Sequence, residues 1–211
     1  MYVQPPGATL FITFRLVDSL PAEVQQRFKN EVERIEQTLS QITDEDERRR
    51  QAYNNQKRLF ARWDEALDNT AIGPRWLRQS KVAALVADSL HIRHGRVYDL
   101  DAFCIMSSHV HVLFTPLAKS DGTYIALSAI MQSLKGYTAR QANKLLNRGG
   151  QFWQHESYDH VVRNAAELQR IRLYILNNPV KADLVTSLEA WHWSYSKSHP
   201  TVGQTVRLPE K

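Results

Sequence analysis

Met106-Ser-Ser-His-Val-His-Val-Leu-Phe114, closed by Thr115-Pro116, is the stretch from which the rest of the chain is read. The run from His109 is rich in Val, Leu and Phe and stops at a Thr-Pro pair, the pattern of a buried strand. Successive strand residues point to opposite faces, so His109 and His111 leave the sheet on one side and Val110 on the other. Two imidazoles on one rigid strand are half of a metal site. From spacing alone the pair reads equally as two histidines on a polar sheet face. What decides between these readings lies further along the chain.

Immediately upstream, Arg96 to Met106 reads as a strand after a break at Gly95, and Ser107-Ser108 is a connection of hairpin length to the His109 strand. Ala8 to Leu16 is another strand, rich in β-branched and aromatic residues. From Pro21 to about Ala66, Glu, Gln, Arg and Lys dominate. Phe28, Val32, Ile35 and Leu39 form a narrow stripe at helical spacing there, and Asp44 to Arg50 interrupts it with charge. Residues 21–72 therefore read as a charged helical insertion, two helices forming a hairpin with a solvated face. Gly73-Pro74 bounds it, and Trp76 to Leu90 is an amphipathic helix.

Downstream of Pro116, a polar loop with Asp121-Gly122 leads to a helix over Tyr124–Leu146, which Gly149-Gly150 stops. Phe152 to Arg163 is an irregular strand. Asn164 and Glu167 have the spacing of a capping box, and Pro179 is expected to end that helix at about Asn178. The remainder, with Trp191, Trp193 and Tyr195, reads as a covering segment and a loose tail, as residues 1–7 read as a loose lead-in. The order predicts an α+β fold, an antiparallel sheet flanked by helices, as one domain over 1–211.

Composition narrows the function classes. The chain has 211 residues, enough for one well-buried domain and cramped for two. A net charge of +5 suits a nucleic-acid partner without requiring one. The single cysteine, Cys104, excludes an internal disulfide and reads as a small core residue. With no basic-then-apolar leader and no apolar run of about 18 residues, the expectation is a cytoplasmic protein without a membrane span.

Tyr174 and Asn178 are four residues apart on the helix that opens at Asn164, hence on one face and one turn from each other. An amide oxygen there would serve as third ligand to a cation held by His109 and His111, with the Tyr174 hydroxyl beside it. A free phenol has a pKa of about 10 and needs help to attack at neutral pH. A divalent cation on a phosphodiester supplies part of that help. On spacing alone, the favoured reading is the plainer one, with Tyr174 a core-edge aromatic and Asn178 a helix cap before Pro179.

The combination resembles a known family. Phe11-Ile-Thr-Phe-Arg-Leu16 with Ser19-Leu-Pro21, Met106-Ser-Ser-His-Val-His111, Trp153-Gln154 with Tyr158-Asp-His160 and Arg163, and Tyr174 followed by Asn178-Pro-Val-Lys181 with Leu184-Val185 occur in the order found in the single-tyrosine HUH transposases. Among these the chain looks most like the REP-associated tyrosine transposases and their insertion-sequence relatives. The resemblance implies a ferredoxin-like, RRM-like fold. It implies His109, His111 and Asn178 as ligands of magnesium or manganese, whereas ligand softness alone points to zinc or another transition ion. It implies Tyr174 as the nucleophile that forms a 5′-phosphotyrosine link to single-stranded DNA bearing palindromic hairpins. His160 and Arg163 match family positions near the site.

Lys135, Arg140, Lys144, Arg148, Arg163, Arg170, Arg172 and Lys181 concentrate positive charge in the second half of the chain. Phe152, Trp153, Tyr158 and Trp193 are candidates for stacking on unpaired bases. Tyr137 and Tyr158 are rival nucleophiles. Two departures from the family stand out. Ser107-Ser108 replaces the usual Pro-Asn, which should alter only the turn, and the charged insertion is longer than in compact members. The expected activity is metal-dependent DNA nicking and strand transfer. The alternatives are a non-catalytic hairpin-binding protein of the same descent and a histidine-metal hydrolase that attacks with water. A monomer and a homodimer both fit the sequence.

Overall fold

The computed structural model describes residues 5–69 and 72–198. Residues 1–4 of the expected lead-in, and the tail from 199 onward, lie outside the described residues. The chain divides into two compact units, Asp18–Pro74 and the remainder.

The larger unit is built on one antiparallel sheet. Its strands are β1 (Leu10–Leu16), β2 (Tyr98–Ile105), β3 (His109–Pro116), β4 (Trp153–Val161) and β5 (Ser194–Ser196), in spatial order β4-β1-β3-β2-β5. The helices of this unit are α3 (Ser80–Arg93), α4 (Leu127–Leu145) and α5 (Ala165–Lys181), with one-turn helices at Trp76–Arg78 and Leu188–Ala190. From β1 to β4 the succession is the split β-α-β-β-α-β unit of ferredoxin-like folds, to which α5 and β5 are added. The expected α+β architecture is the one observed.

Alternation along the strands explains the layers. Leu10, Ile12, Phe14 and Leu16 of β1 and Val110, Val112 and Phe114 of β3 turn to one face. There they share a core with Val82, Val86 and Leu90 of α3 and with Ile130 and Leu134 of α4. The intervening residues, Phe11, Thr13 and Arg15 on β1 and His109, His111 and Leu113 on β3, share the other face, over which α5 packs. All seven β1 residues are buried because both faces are covered. Among the described residues, no helix is long and apolar enough to cross a membrane.

Several boundaries differ from the sequence reading. α4 begins at Leu127 rather than Tyr124, with Ala126 still extended. The covering segment contains an edge strand, since Ala102, Phe103 and Cys104 of β2 pair with Ser196, Tyr195 and Ser194. Phe152 and Trp153 are buried, with the Trp153 ring 4.8 Å from that of Phe14, so they are core residues rather than stacking platforms. α5 does not stop before Pro179 but runs through it to Lys181. A proline in the last turn removes only one intrahelical bond, and a Schellman closure follows it. Asp183 takes φ 53°, its N–H donates to the Val180 carbonyl at 3.0 Å, and the Leu184 N–H donates to the Pro179 carbonyl at 2.9 Å. Asn178 is thus a buried residue inside the helix, not its cap.

The smaller unit is a helical hairpin of α1 (Ala22–Ser40) and α2 (Glu45–Asn69). Asp44 caps α2, its side chain accepting from the Glu47 N–H at 2.8 Å. The stripe on α1 is only partly covered: no α1 residue is fully buried, and Val32 is 40% exposed. The two ends of the unit meet where Gly73 adopts φ +101°, since a Cβ there would lie 2.5 Å from the Asp18 carbonyl oxygen. Residues 18–74 carry 9 Lys and Arg against 12 Asp and Glu, so the net charge of the other unit is +8. The positive field belongs to the unit that holds the histidines.

Candidate functional site

The histidine pair sits on β3, the central strand of the five. His109 and His111 are 1% and 0% exposed, and their Nε2 atoms are 3.1 Å apart. Each Nδ1 faces a hydroxyl instead. Thr13 Oγ1 lies 2.7 Å from His111 Nδ1, and Ser108 Oγ lies 3.2 Å from His109 Nδ1. The Ser-Ser turn therefore does more than close a hairpin.

Strand register puts these groups together. Thr13 pairs with His111 and Arg15 with His109 across the β1–β3 ladder. Cross-strand partners share a face, so Arg15, itself 5% exposed, stands on the histidine side of the sheet. Thr13, Arg15 and Ser108 carried no individual role in the sequence reading. The signal that would find them is the same alternation that locates the core, read for the opposite face.

α5 completes the site from above. Its start is fixed by Asn164, whose side chain accepts from the Glu167 N–H at 2.9 Å. Glu167 reaches back past the cap: one carboxylate oxygen accepts from the Arg163 N–H at 2.8 Å, and the other lies 3.2 Å from His160 Nε2. Two residues before the tyrosine, Arg172 makes a bidentate contact to Asp101 of β2, at 2.7 Å from Nε and 2.6 Å from an Nη. That carboxylate raises the Arg172 pKa above its ordinary value.

With α5 so fixed, the Tyr174 ring lies edge-on to His111, centroids 5.8 Å apart. Phe11 supports both, its ring 5.9 Å from His111 and 6.1 Å from Tyr174. The Lys181 ammonium lies 6.0 Å from the Tyr174 ring centre. One turn beyond the tyrosine, the Asn178 amide Nδ2 is 3.2 Å from His111 Nε2. A half-turn of the amide brings Oδ1 to that distance.

The donor set suits a cation. Adjacent ligands about 2.1 Å from a six-coordinate ion are about 3.0 Å apart, and opposite ones about 4.2 Å. The spacings of 3.1 Å between the imidazoles and 3.2 Å from amide to imidazole are those of neighbouring ligands. Two imidazoles and an amide would hold such an ion and leave it free to take water or phosphate oxygens as well.

The other sequence candidates fall elsewhere. Tyr137 is on α4, across the sheet from the histidines, exposed beside the Arg93 guanidinium. Tyr158 is on the histidine face, but on β4, with β1 between it and β3, a separation of about 9–10 Å. His160 is buried against Glu167, whereas Arg163 is exposed. Arg140 is also exposed, on α4. Lys135 turns to β4: its Nζ donates to the His155 carbonyl at 2.9 Å and to the Ser157 hydroxyl at 2.9 Å. Its pKa is lowered to about 8, chiefly by burial, with Glu156 opposing the shift and Arg15 adding to it.

Comparison with known proteins covers this same region. Residues 88–178, the window that holds His109, His111, Tyr174 and Asn178, match the family model for IS200-like transposases. A curated relative from Haemophilus influenzae, described as a REP-associated tyrosine transposase, is 27% identical over 111 residues. That match covers 50% of this chain and 61% of the relative, less than two thirds of its length. A solved structure of a REP-associated tyrosine transposase bound to a REP hairpin shares the fold, with a TM-score of 0.51 at 15% identity over 92% of this chain and 79% of that one. Over residues 88–178 the chain is thus similar to the IS200-like transposases, and it resembles a REP-associated tyrosine transposase in sequence.

Proposed function

We propose that the protein is a metal-dependent, single-tyrosine endonuclease and strand transferase acting on single-stranded DNA beside palindromic hairpins. The observation that carries this is the convergence of Tyr174, His109, His111 and Asn178 within one unit of one chain, Tyr174 edge-on to His111 at 5.8 Å and Asn178 one turn beyond it. No residue from a second copy is needed for these contacts.

His109, His111 and Asn178 would hold a magnesium or manganese ion. Such an ion, when bound, withdraws charge from a phosphodiester and orients its phosphorus for attack. The chain's own groups do the rest. Tyr174 Oη forms a bond to phosphorus while the bond from phosphorus to the 3′ oxygen breaks. The 5′ phosphate stays on the tyrosine, the phenolic proton passes to solvent, and the released 3′ oxygen takes up a proton as a free hydroxyl. Lys181, with its ammonium 6.0 Å from the ring, would place positive charge near the attacked phosphate. Arg15 adds positive charge from the sheet side. Strand transfer is the reverse reaction, with a different 3′-hydroxyl attacking the phosphotyrosine.

Hairpin DNA as partner is supported by the family match, by the hairpin-bound structural relative and by the net +8 of the unit that holds the site. Arg163 and Arg140, exposed on that unit, are proposed as phosphate contacts. Lys135 and His160 are engaged with β4 and Glu167 and would act through those elements.

The test is an oligonucleotide carrying a hairpin and its flanking single strand, incubated with Mn²⁺ or EDTA and run on a denaturing gel. Wild type should give a covalent protein–DNA band with Mn²⁺ alone, absent in Tyr174→Phe and in His111→Ala. An adduct that survives Tyr174→Phe would sink the assignment of the nucleophile. Cleavage without an adduct would favour attack by water, and tight hairpin binding without cleavage would favour a binding protein.

A further inference from the structure

Resting on the metal reading above, we infer that the Thr13 and Ser108 hydroxyls are positioning groups for the histidine ligands, fixing both rings with the proton on Nδ1 and the Nε2 lone pair toward the cation. A neutral imidazole carries one proton, and the hydrogen bond at one nitrogen selects the lone pair at the other. Here the four ring nitrogens sort cleanly. The two Nε2 atoms face each other at 3.1 Å, and each Nδ1 meets a side-chain hydroxyl, Thr13 at 2.7 Å and Ser108 at 3.2 Å.

The Thr13 contact is a product of the fold. Thr13 is 0% exposed on a strand whose register sets it opposite His111, and a slip of one residue would turn Ile12 or Phe14 to that face. A threonine side chain is stiff about its first torsion, so the hydroxyl is held rather than sampled. The Ser108 bond is longer and comes from the adjacent residue, which makes it the weaker of the two.

The chemistry of the partners matters as much as their position. Histidine ligands are commonly supported by a carboxylate, which makes the imidazole more basic and the metal bond stronger. A hydroxyl orients the ring without adding charge. Hydroxyl support therefore suits a cation that is held loosely and keeps exchangeable positions for phosphate oxygens, as opposed to one locked in a closed structural site.

Mn²⁺ titration of the full chain, followed by the electron paramagnetic resonance of the free ion, tests this. Thr13→Val, nearly isosteric, should weaken Mn²⁺ binding about 10- to 100-fold, as loss of an outer partner of a ligand does. Thr13→Ser should retain binding, and Ser108→Ala should lose less than Thr13→Val. Unchanged binding in Thr13→Val beside lost binding in His111→Ala would overturn the inference and leave the metal reading intact. Absence of Mn²⁺ binding in wild type would overturn both. A second measurement needs no variant: imidazole ¹⁵N spectra of the Mg²⁺-saturated protein should give the Nδ1–H tautomer at both histidines. An Nε2–H tautomer at His111 refutes the role of Thr13 even if Thr13→Val fails to fold.

Discussion

Replacing Arg172 with alanine tests how α5 is held over the histidine face. Arg172 and Asp101 form two charge-assisted bonds of 2.7 and 2.6 Å, with side chains only 6% and 19% exposed. Such a pair is unlike an exposed ion pair, which contributes about 0–1 kcal/mol. Removing one partner of a buried pair leaves the other charge uncompensated and costs about 3–5 kcal/mol. Because Asp101 retains some access to water, the lower end applies, about 3 kcal/mol. For a chain of this size that is a fall in melting temperature of roughly 6–12 °C. Thermal melts of wild type, Arg172→Ala, Asp101→Ala and the double variant, all in EDTA, would measure the coupling directly. The double variant should lose less than the sum of the singles, because it strands no charge. The same variants should form the Tyr174 adduct more slowly, since the pair lies two residues before the tyrosine. A destabilisation by Arg172→Ala below about 1 kcal/mol, with additive double-variant behaviour, would refute the claim that this pair fixes the helix.

Three further outcomes are expected. Asn164→Ala removes the α5 cap bond to Glu167 and should cost about 1 kcal/mol in urea unfolding, with Asn164→Ser restoring most of it. Lys135 has a pKa of about 8 in the fold against an ordinary 10.5, so between these values the unfolded chain holds more protons. Wild type should therefore gain stability relative to Lys135→Met as pH rises from about 8 toward 10.5, whereas below 8 the difference should be flat; a difference that shrinks over this range would show the ammonium is not strained by burial. Finally, Mn²⁺ at about 100 times its dissociation constant should stabilise the fold by about 2.7 kcal/mol in thermal melts. That shift should vanish in His111→Ala, and an equal shift in the variant would place the ion elsewhere.

Much of this molecule is legible locally. The alternation in Leu10–Leu16 and His109–Phe114 identifies two strands and assigns each residue to a face, because the strand period is a property of the backbone alone. The spacing of Asn164 and Glu167 gives the start of α5, and the four residues from Tyr174 to Asn178 give one helical face, again from local geometry. The charged composition of 21–72 gives a two-helix unit with little buried surface, although the half-exposed Val32 shows how thin its apolar stripe is. Pro179 is where a local rule misleads. A proline is costly in a helix interior, but in the last turn the bonds from Asp183 and Leu184 absorb its effect.

What the tertiary structure alone decides is who stands beside whom. Alternation says that Thr13, Arg15 and His111 each occupy one face of their strands, but not that β1 lies next to β3, nor in which register. Those depend on pairing residues about 100 positions apart, whose energy comes from the shared core rather than from any short segment. The same holds for α5. Its sequence fixes that Tyr174 and Asn178 face together, but only its packing over the sheet, held through Arg172 and Asp101, turns that face onto the histidines. Tyr137 sits on an equally regular helix, but α4 packs on the other face of the sheet and carries it away from the histidines. The chemistry of the side chains is written in the sequence; their convergence is a consequence of long-range register and packing, which no local pattern encodes.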